Sequence, residues 1–132
     1  MKIDEYKNYK LGIKTIDDDH KELFTLCNNI YNSTLTNEEV KTMLLNYYDL
    51  LFNHFLNEEN YMEDVNFPYI DHHRESHRHI LEKVFNAVDN SKTCEIDNRK
   101  NVMKIIDDTL VYHIENYDFK IRDFVNPEFD KK

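Results

Sequence analysis

Apolar residues recur along this chain in steps of three and four, the spacing that places side chains on one face of an α-helix. The pattern forms four successive blocks. In the first two blocks the inward positions are Ile16, His20, Leu23, Cys27, Ile30 and Thr34, then Val40, Leu44, Tyr47, Leu51, His54, Glu58, Tyr61 and Val65. In the last two they are His73, His77, Ile80, Val84 and Ala87, then Ile96, Met103, Ile106, Leu110, His113, Tyr117, Ile121 and Phe124. The pattern therefore predicts four amphipathic helices.

Polar and proline-containing segments separate these blocks. Thr36 and Glu39 have the spacing of a capping box, which begins the second helix. Pro68 separates the second helix from the third, and the polar run 90–93 precedes the fourth. Connections of about 2–6 residues make consecutive helices antiparallel neighbours. We therefore expect an all-α fold, an up-down-up-down antiparallel four-helix bundle in a single domain over 1–132, with an N-terminal arm at 1–15, the bundle at about 16–125 and a tail at 126–132.

Composition narrows the functional classes. Of 132 residues, 40% are hydrophobic and 33% are charged, which suits one folded domain. One glycine and two prolines disfavour a turn-rich β fold and a glycine-rich phosphate loop. A formal net charge of −9 disfavours nucleic acid and anionic membrane surfaces as partners. No segment approaches the roughly 20 apolar residues of a membrane span.

The cysteines and the N-terminus bear on localisation. Cys27 and Cys94 are too few for a disulfide-stabilised secreted scaffold. Cys27 lies on the core stripe and is expected to pack as a small apolar residue, and Cys94 falls at the junction before the fourth helix. The first residues carry charges without an apolar stretch behind them, so no signal peptide is expected. These features predict a cytoplasmic protein.

Seven polar residues occupy the core stripes, where an unpaired charge or imidazole is costly to bury. In an up-down bundle, the starts of the first and third helices meet the ends of the second and fourth. All seven are therefore expected at one level near that end. They are His20, His54, Glu58, His73, His77, His113 and Asp118.

The local spacings favour a shared centre. His54 and Glu58 lie one helical turn apart, as do His73 and His77, so both members of each pair can bind the same metal centre. His113 and Asp118 are five residues apart, which in an α-helix separates their directions by about 140°. Asp118 is therefore expected to reach sideways towards a second ion, in a bridging role.

This ligand set predicts two metal ions. Imidazole suits zinc, copper, iron and nickel, and seven side chains exceed what one ion needs. If both carboxylates bridge and an oxo or hydroxo group is added, the ligands fill all but one position of two six-coordinate ions. A single open position suits a small ligand such as O2, and iron is preferred because zinc is redox-inert.

The motifs His20, His54-Phe-Leu-Asn-Glu58, His73-Arg-Glu-Ser-His77 and His113-Ile-Glu-Asn-Tyr-Asp118 resemble those of the hemerythrin family, in particular its single-domain bacterial members, the bacteriohemerythrins. The resemblance covers essentially the whole chain. The chain lacks the tryptophan that many bacterial relatives carry in the arm, and Tyr6 or Tyr9 is the candidate to take its place.

The resemblance implies a role for each ligand. One iron would be held by His73, His77 and His113 and the other by His20 and His54, with Glu58, Asp118 and an oxo or hydroxo group bridging them. O2 would bind the iron that has two histidines. Its pocket would be lined by Phe55, Leu110 and Ile114.

The function expected from the resemblance is reversible O2 binding, for carriage, storage or delivery, rather than catalysis. A second reading is a di-iron enzyme, namely an oxidase, a peroxidase or a nitric-oxide-handling protein, and weak oxidase or peroxidase side activity fits the same open position. A third is an O2- or iron-sensing module that acts through a partner. Expected ligands are O2, small anions and nitric oxide. No nucleic acid or membrane partner is expected, and no protein partner is indicated.

Overall fold

The computed structural model describes residues 3–31, 34, 36–90 and 104–129. A short 3₁₀ helix, Ile3–Tyr9, precedes three long α-helices: α1 (Lys14–Tyr31), α2 (Asn37–Asp64) and α3 (Ile70–Asn90). The fourth helix, α4, covers 104–125 of the described chain. It contains two π-helical segments, Asp107–Val111 and Ile114–Asp118, and ends in the α-helical segment Phe119–Val125. The predicted all-α four-helix bundle is confirmed.

The helix ends follow from local chemistry. The capping box at the start of α2 is confirmed: Glu39 N–H donates to Thr36 Oγ1 at 3.2 Å, and Thr36 N–H donates to Glu39 Oε1 at 3.2 Å. The α2–α3 connection contains Pro68, as expected. Helix α1 begins at Lys14, close to the expected start at about 16, and Asp17 in its first turn accepts the backbone N–H of Leu11 at 2.7 Å, which joins the arm to the helix.

We expect Thr36→Ala to lower the free energy of unfolding by about 1 kcal/mol, because it leaves an N-terminal amide of α2 without its acceptor. Chemical denaturation of the purified protein measures this change. Thr42→Ala is the matched control, since Thr42 is exposed on the same helix and its hydroxyl only donates back to the Glu38 carbonyl. Equal destabilisation by the two substitutions would contradict the capping argument.

The core lies along the predicted inward stripes of the four helices, except that Thr34 and Phe124, which were expected to face inward, are exposed. Leu23, Leu44, Leu51 and Ile106 are almost completely buried. Between them, the buried Tyr47 hydroxyl lies 3.2 Å from Thr109 Oγ1, which donates to the Ile105 carbonyl at 2.7 Å. The apolar interior therefore holds one satisfied polar pair, on the side of the first π-helical segment.

The arm packs against the bundle through tyrosine, as expected for a chain without tryptophan. The Tyr9 ring stacks on Phe24 at 5.4 Å and on Phe119 at 6.4 Å between centroids. Gly12 has φ +80°, a conformation that favours glycine, and a Cβ there would lie 3.3 Å from the Phe129 ring. The arm is thus held against both α1 and the segment after α4.

The structure describes one of the two cysteines. Cys27 is buried in the core, as predicted, and burial raises the pKa of its thiol. Cys94, together with the start of the fourth predicted stripe at Ile96 and Met103, lies outside the described residues. Within the described ranges, no helix has a stretch long and apolar enough to cross a bilayer.

Candidate metal centre

The seven polar core residues meet at one end of the bundle. The early turns of α1 and α3 and the later turns of α2 and α4 come together there, as the topology predicted. No residue of the set is more than 3% exposed. Its members are His20, His54, Glu58, His73, His77, His113 and Asp118.

Glu58 stands between two groups of imidazoles. Its Oε1 atom lies 2.7 Å from Nε2 of His73 and 2.9 Å from Nε2 of His77. Its Oε2 atom lies on the other side, 3.1 Å from Nε2 of His54. The two oxygens of one carboxylate therefore face different histidines.

Asp118 divides its oxygens in the same way. Oδ1 lies 3.0 Å from Nε2 of His113 and 3.1 Å from Nε2 of His73, whereas Oδ2 lies 3.1 Å from Nε2 of His20. On that second side, the Nε2 atoms of His20 and His54 are 3.1 Å apart. Three histidines thus share one pair of carboxylate oxygens, and two histidines share the other pair.

The donor atoms fit metal ions better than they fit one another. Among the described residues, Glu58 Oε2, His113 Nε2 and both carboxylate oxygens of Asp118 are buried without a satisfactory hydrogen bond. Adjacent ligands of a six-coordinate ion lie about 3.0 Å apart when each bond is about 2.1 Å. Six nitrogen–oxygen spacings of 2.7–3.1 Å match that value, and two others in the cluster are longer, at 3.8 and 4.0 Å. A cation on each side would satisfy these atoms.

A π-helical turn brings His113 and Asp118 together. The expected angle of about 140° is wrong, because it assumed an α-helix, whereas Ile114–Asp118 is π-helical. In a π-helix each amide bonds to the carbonyl five residues earlier, as the Phe119 N–H does to the Ile114 carbonyl. Residues five apart then lie on nearly the same face of the helix, so Asp118 lies directly beside His113.

Three further side chains contact the outer nitrogens of three of the five imidazoles, whereas Nδ1 of His20 is buried without a hydrogen-bond partner among the described residues. Nδ1–H of His54 donates to Asp19 Oδ2 at 3.0 Å, and Nδ1–H of His77 donates to Glu59 Oε2 at 2.8 Å. Ser76 Oγ lies 2.9 Å from Nδ1 of His113. Such contacts fix the ring orientation and leave Nε2 facing inward, as metal-binding histidines require.

Sequence reasoning did not assign these outer contacts. The structure places Asp19 against His54, 35 residues away in sequence. The hydrophobic pattern did not identify Ser76 and Glu59, because both lie beside the inward positions and not on them. The available signal was adjacency, since each of the three precedes or follows a predicted ligand by one residue.

Aromatic rings cover the three-histidine side. The Phe55 ring stacks on His77 at 3.8 Å between centroids with an interplanar angle of 6°. On α4, the Tyr117 ring stacks on His113 at 5.1 Å. Leu110 and Ile114, the other two predicted pocket residues, are buried on the helix that carries His113. The Phe55 ring therefore lies closer to His77 than to His54, at 3.8 Å against 5.7 Å, although the resemblance placed the O2 pocket at the two-histidine iron. The assignment of all three residues to an O2 pocket stays a prediction.

The electrostatics of the cluster favour charged side chains. Burial would lower the pKa of His54, but the Glu58 charge and the hydrogen bond to Asp19 raise it to about 10. Burial likewise opposes protonation of His73, whose hydrogen bonds to Asp118 and Glu58 raise its pKa to about 9. Burial would raise the pKa of Glu58, yet the surrounding histidines hold it well below its usual range.

The fold and this cluster define the class: a helical-bundle metalloprotein with a histidine-rich, carboxylate-containing site. The sequence matches the family model of the hemerythrin HHE cation binding domain over residues 11–124, so the chain belongs to the hemerythrin family. It is accordingly a non-haem iron-binding domain.

Similarity to individual proteins agrees with this assignment. The chain is 28% identical over 123 residues to bacteriohemerythrin from three strains of Campylobacter jejuni subsp. jejuni. The alignment covers 88% of this chain and 90% of the relative. No solved structure matches the chain at a significant level.

Proposed function

We propose that the protein binds O2 reversibly at a pair of non-haem iron ions. His73, His77 and His113 would hold one ion, and His20 and His54 the other. Glu58 and Asp118 would bridge the pair, together with an oxo or hydroxo group. The observation that carries this proposal is the division of both carboxylates, each of which directs one oxygen to either histidine group.

The number of ligand atoms supports a single open position. Three imidazoles and two carboxylate oxygens give five ligands on one side, whereas two imidazoles and two oxygens give four on the other. One bridging oxygen raises these numbers to six and five. With six-coordinate ions, the vacant position falls on the side of His20 and His54, where O2, a small anion or nitric oxide would bind.

The ligand chemistry favours binding over catalysis. Two ferrous ions supply the two electrons that reversible O2 binding requires. Five neutral imidazoles accompany only two carboxylates, and a less anionic ligand set disfavours oxidation beyond the diferric level. The bacteriohemerythrin name of the Campylobacter relatives supports the same choice.

The decisive experiment is a cycle of oxygenation. The protein is loaded anaerobically with ferrous iron, exposed to air and then purged with inert gas while its visible spectrum is followed. We expect an absorption band that appears with air and disappears on purging, repeatedly. A one-way conversion to a ferric form, or turnover with peroxide, would instead support the enzyme class, and one ion per chain would overturn the dinuclear site.

Leu110→Ala is expected to speed autoxidation without changing the iron content. Leu110 is buried one turn before His113, and removing its side chain would admit water and protons that help superoxide or peroxide, the reduced forms of O2, to leave the oxidised iron. Leu44→Ala is the matched control, because it makes the same change in a buried part of α2 ten residues from His54. The half-life of the oxygenated form measures the effect, and equal half-lives in the two variants would remove Leu110 from the pocket.

A further inference from the structure

Arg74 of α3 lies at the edge of the candidate metal centre, and its polar partners in the described part of the chain are carboxylates outside the predicted ligand set. Its Nε–H donates to Glu59 Oε1 at 3.2 Å, and its terminal nitrogen contacts Glu63 on the next turn of α2. Asp71 lies 3.8 Å from the same guanidinium. Arg74 therefore neutralises part of an acidic cluster that includes an outer partner of the site.

Glu59 connects this cluster to the metal-binding side chains. Its other oxygen, Oε2, accepts the Nδ1 proton of His77 at 2.8 Å. A carboxylate in this position draws the imidazole proton towards itself and makes the opposite nitrogen a stronger electron donor. The strength of that effect depends on how much negative charge Glu59 retains, and Arg74 withdraws part of it.

On the two-histidine side of the centre, the outer carboxylate has no positively charged arginine beside it within the described part of the chain. Asp19 accepts the Nδ1 proton of His54 at 3.0 Å, and its other partner is the neutral amide of Asn57 at 3.4 Å. Within the described part of the chain, no lysine or arginine forms an ion pair with Asp19. The two histidine groups therefore have outer carboxylates of unequal effective charge.

We propose that Arg74 is a positioning residue that sets the electron richness of the three-histidine metal position through Glu59 and His77. This inference rests on the metal pair of the proposed function but not on O2 binding. Arg74 is 38% exposed and Glu59 22% exposed at the side chain, so solvent screens the interaction only in part. Loss of the guanidinium leaves Glu59 more negative and stabilises the oxidised iron.

Arg74→Gln is therefore expected to lower the reduction midpoint potential of the iron-loaded protein, measured with redox mediators in the absence of O2. The ratio of reduced to oxidised protein at a fixed potential should fall about two- to fivefold. That change corresponds to about 20–40 mV for one electron. Arg78→Gln is the matched control, because Arg78 lies one turn further along α3 beside the same groove and is exposed. Among the described residues Glu59 pairs with Arg74 and His77, and not with Arg78.

A second measurement uses the zinc-loaded protein and needs no redox chemistry. The Nδ1 proton resonance of His77 should move downfield in Arg74→Gln, since a more negative Glu59 forms a stronger hydrogen bond. It should stay in place in Arg78→Gln, and Arg74→Lys should restore part of the wild-type value. Glu63→Gln leaves Arg74 more fully available to Glu59, so it should move the potential upward even if Arg74→Gln folds poorly.

Equal shifts of potential in Arg74→Gln and Arg78→Gln would overturn the inference, because they would reflect only the change in net charge. An unmoved His77 resonance in Arg74→Gln would also overturn it. A protein that binds metal but fails the oxygenation cycle would contradict the proposed function. The midpoint potential and the His77 resonance could still be measured and would still test the role of Arg74.

Discussion

Glu58→Gln is expected to abolish the binding of the proposed metal pair, with metal content falling from the two ions per chain of that proposal to one or fewer. An amide offers one oxygen in place of two and cannot bridge the histidine groups that Glu58 now faces from both sides. Removing one partner from a buried charged cluster costs about 3–5 kcal/mol. At about 1.4 kcal/mol per tenfold, the affinity for the pair should fall more than about a hundredfold. Elemental analysis and calorimetric titration with ferrous iron measure this.

The control for this substitution is Glu75→Gln. Glu75 lies between His73 and His77 in sequence, so the change removes the same charge at the same level of the bundle. Its carboxylate is 56% exposed, and its ion-pair partner within the described ranges is the exposed His79. We expect Glu75→Gln to load two ions with little change in affinity. Unaltered loading of both ions by Glu58→Gln would refute the bridging role.

The periodic pattern predicted the bundle because burial decides where long amphipathic helices form. Helix α2 is the clearest example, since its inward stripe runs without interruption and a capping box begins it. The start of α1 was expected at about 16 and lies at Lys14, where the contact between Asp17 and the arm joins the first turn. Helix boundaries follow such individual contacts, which a repeating pattern does not contain.

The seven inward residues of the site were predictable for the same reason, since histidine and carboxylate are conspicuous on an apolar stripe. The orientation of Asp118 was not predictable, because 100° per residue applies only to an α-helix and α4 adopts π-helical turns there. The contact between Asp19 and His54 was not predictable, because it joins two helices, α1 and α2, and depends on how they pack. Local pattern identifies candidate ligands, and tertiary packing determines how they are oriented and supported.

Metal binding is expected to raise the melting temperature by at least about 10 °C at neutral pH. A ligand present at a thousand times its dissociation constant stabilises the folded state by about 4 kcal/mol, and each kcal/mol is worth roughly 3–5 °C in a domain of this size. The physical source is the set of buried atoms, among them both oxygens of Asp118, that find no satisfactory partner within the described chain. Calorimetry of the protein before and after chelation measures the difference. In Glu58→Gln, the melting temperature should change little on metal addition or chelation.

The stabilisation by metal should grow as the pH rises from 6 to 8. In the metal-free protein the pKa of His54 is raised to about 10 and that of His73 to about 9. A raised pKa stabilises the folded protein fully below the unfolded value of about 6.5, and this contribution is lost as the pH rises through the folded value. The metal-free protein therefore loses stability over this range, while metal binding strengthens because fewer protons compete for the imidazoles. A melting-temperature difference that shrinks with rising pH would show that the buried histidines are not where the metal binds.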